Sequence, residues 1–349
     1  MRALTVVPEQ AGSLAVTEVP DAVAGPGDLL VQGVAVGVCG TDREIARGEY
    51  GWAPGGHERL VIGHESLGRV LTAPADSGFA AGDLVVGIVR RPDPVPCGAC
   101  AHGEFDMCRN NQYTERGIKQ IDGYASELWR VEADYAVKLD PALARTGVLM
   151  EPTTVVAKAW EQIDLVSRRA WYEHKRVLVT GAGPIGLLAA MIGRQRGLDV
   201  HVLALGDDGV QPTMARALGA TYHSDPLPTV AGKIEPDLIV EATGSAQVAV
   251  DAMTHNASAA IVCLTGVSPV GREVTFDAGA ANRNIVLEND LIFGSVNANK
   301  RHYRQAAEAL AAADPDWLEG LITRRLPLDQ ALDAFTSGHD DIKVVIDLG

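Results

Sequence analysis

Three groups of residues have the types and spacing that chemistry requires. The first is Gly181-Ala182-Gly183-Pro184-Ile185-Gly186, with the G-x-G-x-x-G spacing of a dinucleotide loop. A strand-like run, Arg176–Thr180, precedes it, and the helix candidate Pro184–Arg196 follows, which is the context such a loop needs. Gly181 permits the tight turn, Gly183 lets the backbone approach a pyrophosphate, and Gly186 lets helix pack on strand. Pro184 and Ile185 stand where a helix start turns unpaired N–H groups and the positive end of its dipole to phosphate. An empty glycine-rich turn is the plainer alternative. Asp207 follows twenty-one residues after Gly186, with Asp208 beside it. An acidic side chain there accepts hydrogen bonds from the adenosine ribose hydroxyls. Two carboxylates repel a 2′-phosphate, and the nearest downstream arginine is Arg216. NAD is therefore expected over NADP, against the plainer reading of a solvated turn.

The second group is Cys39, in Gly-Val-Cys-Gly-Thr-Asp at 37–42, with His64 and Glu65, in Gly-His-Glu-Ser-Leu-Gly at 63–68. Thiolate, imidazole and carboxylate together suit a catalytic zinc, which keeps one position open for water or substrate. Taken singly, Cys39 reads more often as a small buried hydrophobe and His64 as a core histidine. The third group is Cys97-Gly98-Ala99-Cys100 with Cys108 after a seven-residue gap. C-x-x-C suits a structural zinc knuckle. Its fourth ligand is not evident; His102 is the nearest candidate, and three free thiols are the alternative.

The elements around these groups fall into two textures. Before residue 140 the chain is rich in short β-branched or alternating runs, Ala3–Val7, Leu14–Val19, Leu29–Val38 and Leu84–Val89. Turn chemistry such as Gly25-Pro26-Gly27 separates them. A mainly β unit is expected there. Thr153–Val166 has helical spacing, and beyond it apolar runs alternate with helix candidates. The runs are Arg176–Thr180, Val200–Leu205, Asp237–Glu241, Ala259–Leu264 and Leu291–Gly294. Their continuous apolar character fits strands buried on both faces of a parallel sheet. The helices Pro184–Arg196, Gln211–Leu218 and Ala246–Met253 would cover it, which makes a doubly wound α/β domain. In the tail, Tyr303–Ala313 and Leu328–Phe335 read as helices and Ile342–Leu348 as a strand.

Composition limits what such a chain can do. Its 349 residues give room for two domains. The net charge of −15 argues against a nucleic-acid partner, which needs cations to displace counterions. Five cysteines, three of them within residues 97–108, suggest metal rather than a disulfide framework. The N-terminus has no apolar signal core and reads as a strand. The uncharged stretch Val177–Gly193 holds Thr180, Pro184 and the loop glycines, so it reads as strand–turn–helix rather than a membrane span. A cytoplasmic protein with no membrane partner is expected.

Taken together, these residues resemble the zinc-dependent medium-chain dehydrogenase/reductase superfamily. The resemblance rests on the segments at 37–42 and 63–68, Gly-Asp-Leu-Val at 82–85, the cysteine cluster and the dinucleotide loop. Within it the chain is most similar to the archaeal-type glucose 1-dehydrogenases. The matching segments are Cys-Gly-Thr-Asp-Arg-Glu-Ile at 39–45, Val-Arg-Arg-Pro at 89–92, Glu115-Arg116-Gly117-Ile118, Asp122-Gly123-Tyr124, Glu151-Pro152 and Gly294-Ser295-Val296-Asn297. The resemblance implies a GroES-like β catalytic domain over 1–155, a Rossmann NAD(P)-binding domain over 156–298 and a return to the catalytic domain over 299–349. It implies that Cys39, His64, Glu65 and Glu151 surround a catalytic zinc. It also implies that Thr41, Glu115, Glu151 and Asn297 contact a sugar. The family's four structural cysteines are three here, and Asp207-Asp208 stands where NADP-using members carry two arginines.

The activity implied is hydride transfer from the C1 hydroxyl of a glucose-like aldose to NAD, giving a lactone. Thr41 would carry the hydroxyl proton onward, with Glu44 a next station or an ordinary surface carboxylate. Arg90 and Arg91 would line the cleft or make surface pairs, and surface pairs are expected. Polyol, cyclitol or other secondary-alcohol oxidation on the same scaffold is the rival, and a non-catalytic nucleotide sensor another. Relatives imply a homo-oligomer, a dimer or tetramer.

Overall fold

The computed structural model describes residues 1–336, 338 and 340–349. The chain divides into two units, Met1–Glu151 with Asn297–Gly349, and Pro152–Val296. These boundaries fall two to four residues before those expected from sequence.

The first unit opens with β1 (Arg2–Val6), β2 (Ala15–Glu18), β3 (Asp28–Val38), α1 (Gly40–Ala46), β4 (Leu60–Val61), β5 (Glu65–Thr72), β6 (Leu84–Gly87) and β7 (Arg90–Arg91). It continues through α2 (Gly98–Ala101), β8 (Thr114–Arg116), β9 (Gln120–Ile121), β10 (Leu128–Glu132) and β11 (Ala136–Lys138). The helix α1 was not anticipated: seven residues are too few to display a helical period. Cys39 caps it, and the Asp42 side chain accepts the Cys39 N–H at 2.9 Å.

The second unit is entered along α3 (Met150–Ser167), which is followed by β12 (Arg176–Thr180), α4 (Pro184–Gln195), β13 (Asp199–Leu203), α5 (Val210–Ala217), β14 (Thr221–His223), α6 (Leu227–Ile234), β15 (Leu238–Glu241), α7 (Ala246–Thr254), β16 (Ile261–Leu264), α8 (Ala278–Glu288) and β17 (Leu291–Gly294). Its six strands are all parallel, in the order β14-β13-β12-β15-β16-β17. The order reverses between β12 and β15, the place where doubly wound sheets bind dinucleotides. Val177, Leu178, Val179, Ile239 and Val240 are fully buried, as strands covered on both faces must be. The expected strand Val200–Leu205 stops at Leu203, because Gly206 turns the chain at φ +78° and leaves Leu205 93% exposed.

The tail adds α9 (Lys300–Ala311), α10 (Pro315–Leu321), β18 (Ile322–Pro327) and β19 (Lys343–Asp347). Leu328–Phe335 is not a regular α-helix but 3₁₀ turns broken at Gln330. Its buried residues Leu328, Ala331 and Ala334 are three apart, a spacing that a three-residue turn keeps on one side.

The eleven-residue β3 organises the first unit. It pairs with β5 along one side and with β10 and then β19 along the other, all antiparallel. Leu29 and Val31 pack with Val70, Val85 and Trp129 in one core, while Val36 and Val38 pack with Ile62, Val344 and Ile346 in another. No helix among the described residues is long and apolar enough to cross a membrane.

Candidate active site

Cys39 lies where β3 gives way to α1, and His64 lies just before β5, the neighbour of β3. Pairing of Gly37 with Glu65 sets these segments side by side. A side chain at Gly37 could not be accommodated: a Cβ there would lie 1.9 Å from Glu65 Oε2. That glycine is the opening into which the carboxylate folds.

Cys39 Sγ stands 3.1 Å from His64 Nε2. These two atoms and a Glu65 carboxylate oxygen lie within 4.8 Å of one another. The buried Asp42 holds the group from behind, with Oδ2 accepting the Cys39 N–H and Oδ1 3.3 Å from His64 Nδ1. A carboxylate behind the imidazole orients the other ring nitrogen, the usual support of a metal-binding histidine. Burial works to lower the pKa of His64, but Cys39 and Asp42 outweigh it and hold the ring well above the usual imidazole value. Sulfur, nitrogen and oxygen converging in this way fit a zinc ion.

Glu65 has a second partner that sequence reasoning missed. Lys343 of β19 places Nζ 2.6 Å from both Glu65 oxygens, and both residues are fully buried. The available signal was a lone lysine at the head of the apolar run Ile342–Leu348. Glu151, near the start of α3, lies outside the three-atom group. Desolvation pushes its carboxyl up to about 7, with His64 and Lys343 opposing and Glu65 adding to the shift. Thr41 is half-buried on α1, and Glu44 is exposed.

Glu115 and Asn297 come together around Arg90. The strands β7 and β8 set Arg90 opposite Glu115. Arg90 donates from Nε and Nη2 to Glu115 Oε1 at 3.1 and 3.0 Å. Asn297, in left-handed backbone at φ +63°, donates to the same oxygen at 3.1 Å and accepts from Arg90 Nη2 when its amide is assigned by its surroundings. Oε2 of Glu115 takes no hydrogen bond from the described residues. The Arg90 guanidinium also lies over the Tyr113 ring, 3.6 Å from its centroid. The expectation of surface pairs is thereby corrected for both arginines: Arg90 and Arg91 are buried. Arg91 is held inside by Ile88 O and Glu132, each at 2.7 Å.

The dinucleotide loop leaves β12 at Gly181, whose φ is +94°, and enters α4 with Gly183 as its cap and Pro184 at the start. A Cβ on Gly186 would sit 1.9 Å from Gly181 O, so strand and helix meet only over a glycine. Around Gly183 a Cβ would meet nothing within 4 Å, the open approach a pyrophosphate needs. Ile185 follows in the first turn of α4, and Asp207 lies in the exposed loop after β13.

The sulfurs of Cys97, Cys100 and Cys108 also lie within 4.8 Å of one another. The N–H groups of Arg109 and then Cys100 bring the Cys97 thiol down to about 6. His102 does not join them. Its ring is exposed and turned to Gly98 O, with Nδ1 at 2.7 Å. Its place four residues along the short α2 makes that backbone carbonyl the nearer partner.

Comparison with known proteins agrees with this architecture. The alcohol dehydrogenase GroES-like domain family matches residues 25–141, and the glucose dehydrogenase C-terminus family matches residues 144–348. The chain belongs to the glucose dehydrogenase family of the zinc-dependent medium-chain dehydrogenases. A glucose 1-dehydrogenase of Methanocella arvoryzae is 37% identical, with 100% of each chain covered. One of Thermoproteus tenax is 38% identical, with 99% of each covered. Among solved structures, Haloferax mediterranei glucose dehydrogenase in complex with NADP, Zn and gluconolactone is similar with a TM-score of 0.92 at 31% identity, covering 100% of this chain and 99% of that one. Membership of this family fits the α/β fold, with its GroES-like and Rossmann parts.

Proposed function

We propose that this chain oxidises the C1 hydroxyl of a glucose-like aldose with a nicotinamide dinucleotide, releasing the lactone. The observation that carries the reading is the convergence of Cys39, His64 and Glu65, braced by Asp42, in the unit that also holds Arg90, Glu115 and Asn297. Cys39, His64 and Glu65, with Glu151 nearby, would hold the metal. Bound there, zinc would supply the Lewis acidity that makes a hydroxyl acidic, and a nicotinamide dinucleotide would supply the hydride acceptor. Thr41 would relay the hydroxyl proton, its own hydroxyl proton passing on towards solvent as the substrate's arrives. Glu115 Oε2 and Asn297 bind ring hydroxyls, and polar groups placed in this way reject analogues that lack them. Gly181, Gly183, Pro184, Ile185 and Gly186 bind the pyrophosphate. Asp207 favours NAD over NADP. Cys97, Cys100 and Cys108 would hold a structural zinc. We further infer a cytoplasmic homo-oligomer, a dimer or tetramer. The five free thiols suit a reducing compartment, and β17 is an unpaired sheet edge.

The test is a matrix of aldoses, polyols and simple alcohols against NAD and NADP, read by absorbance of the reduced cofactor. Lactone from glucose-like aldoses with NAD is expected; turnover of simple alcohols alone overturns the assignment.

Arg90 is expected to act on the substrate through Glu115. Replacing it with methionine leaves a buried carboxylate without its charged donor. A hydrogen bond to a charged group contributes about 1.5–3 kcal/mol, so the sugar KM should rise roughly 10- to 150-fold in Arg90→Met. Zinc content should stay constant. An unchanged KM in steady-state kinetics removes Arg90 from the sugar site.

A further inference from the structure

We propose that Ser224 and Tyr222, at the edge strand β14, are positioning residues that hold Asp207 for the adenosine ribose and so set the choice of cofactor. The inference rests on the NAD reading above and names the residues that enforce it.

The loop after β13 has little to fix it from within. Gly206 and Gly209 both adopt positive φ, at +78° and +106°, and Leu205 is exposed. Its order comes from β14. Leu203 pairs with His223, and the Ala204 N–H donates to His223 O at 3.1 Å, which carries the ladder to the start of the loop. The Tyr222 hydroxyl donates to Gly206 O at 2.8 Å and reaches Leu205 O at 3.4 Å. The Ser224 hydroxyl donates to Asp207 Oδ1. Residues 204, 206 and 207 are thus tied one after another to residues 223, 222 and 224.

Two consequences bear on the cofactor. Ser224 occupies Oδ1 of Asp207, and no hydrogen bond from the described residues reaches Oδ2. One lone-pair face of the carboxylate is fixed, while the other is left for a ribose hydroxyl. Tyr222 also keeps the Arg216 guanidinium beside its ring, 5.4 Å from the centroid. Arg216 and Asp207 form no ion pair, so no cation in contact neutralises the carboxylate, which repels a 2′-phosphate.

The experiment is calorimetric titration of the zinc-loaded protein with ADP-ribose and with its 2′-phosphorylated form, which reads binding without turnover. Wild type should prefer ADP-ribose. Ser224→Ala should weaken ADP-ribose roughly 3- to 10-fold and leave the phosphorylated ligand unchanged, the scale expected for one orienting hydrogen bond. The KM for NAD should rise with kcat unchanged, and Ser224→Thr should restore that KM and the ADP-ribose affinity. In an Asp207→Ala background, Ser224→Ala should change nothing further. Equal weakening of both ligands, or an undiminished effect in that background, assigns Ser224 a structural role and overturns the proposal. So does unchanged ADP-ribose binding in Ser224→Ala. A wild-type preference for the phosphorylated ligand instead overturns the NAD reading, and this inference falls with it.

Discussion

Cys39→Ala combined with His64→Ala should lower sugar oxidation by about 10³-fold or more, the scale of removing several kcal/mol of charge stabilisation at a reacting oxygen. The reason lies in how few donors converge. Cys39 Sγ and His64 Nε2 are 3.1 Å apart, and Glu65 is the one further member of their group. Without the sulfur and the imidazole only carboxylates remain, Glu65 already engaged by Lys343 and Glu151 outside the three-atom group. Metal analysis should show loss of the zinc assigned to this group. Titration with ADP-ribose should be unchanged, because the dinucleotide loop and Asp207 belong to the Pro152–Val296 unit. Near-normal turnover in the double variant would end the case for zinc chemistry here.

Lys343→Met should destabilise the first unit by about 3–5 kcal/mol, the usual consequence of leaving one member of a buried ion pair alone. Lys343 and Glu65 are 2% and 1% exposed, and one Nζ meets both carboxylate oxygens. Burial works to lower the pKa of Lys343, but Glu65, Cys39 and Glu151 together raise it, so the ammonium stays charged. A fall of roughly 10 °C in the unfolding temperature is expected for a unit of this size. Adding Glu65→Gln should recover part of it, because the double variant buries no net charge. A thermal melt in which Lys343→Met matches wild type, or in which the double variant is worse than the single, contradicts this account. The pair also ties Glu65, a member of the group with Cys39 and His64, to the last strand.

Local segments carried much of this molecule in plain view. Gly181-Ala182-Gly183-Pro184-Ile185-Gly186 could be read as a strand–turn–helix because every constraint on it lies within a few residues. The same holds for the buried runs Val177–Val179 and Leu238–Val240, whose unbroken apolar character requires cover on both faces. Short elements were harder. Neither α1 nor β14 is long enough to show a period, and they carry Asp42 and Tyr222.

Burial misled where charge was taken at face value. Arg90 and Arg91 read as surface residues because arginine usually is one. They lie inside because Glu115, Glu132 and backbone carbonyls meet them there. His102 erred in the other direction, standing close to the cysteines in the chain but bonded to its own helix.

Residue order alone therefore established the two textures of the chain, the parallel-sheet unit, the glycine-rich turn between β12 and α4, and Cys39 and His64 as candidate metal donors. Those features depend on neighbours in the chain, or on glycines whose spacing is visible directly. Folding had to supply the Lys343–Glu65 pair across 278 residues, the meeting of Arg90, Glu115 and Asn297, and the bracing of His64 by Asp42. Each of these depends on which strands lie side by side and in what register. Strand pairing is settled by the packing of whole sheets, and no short stretch of sequence contains it.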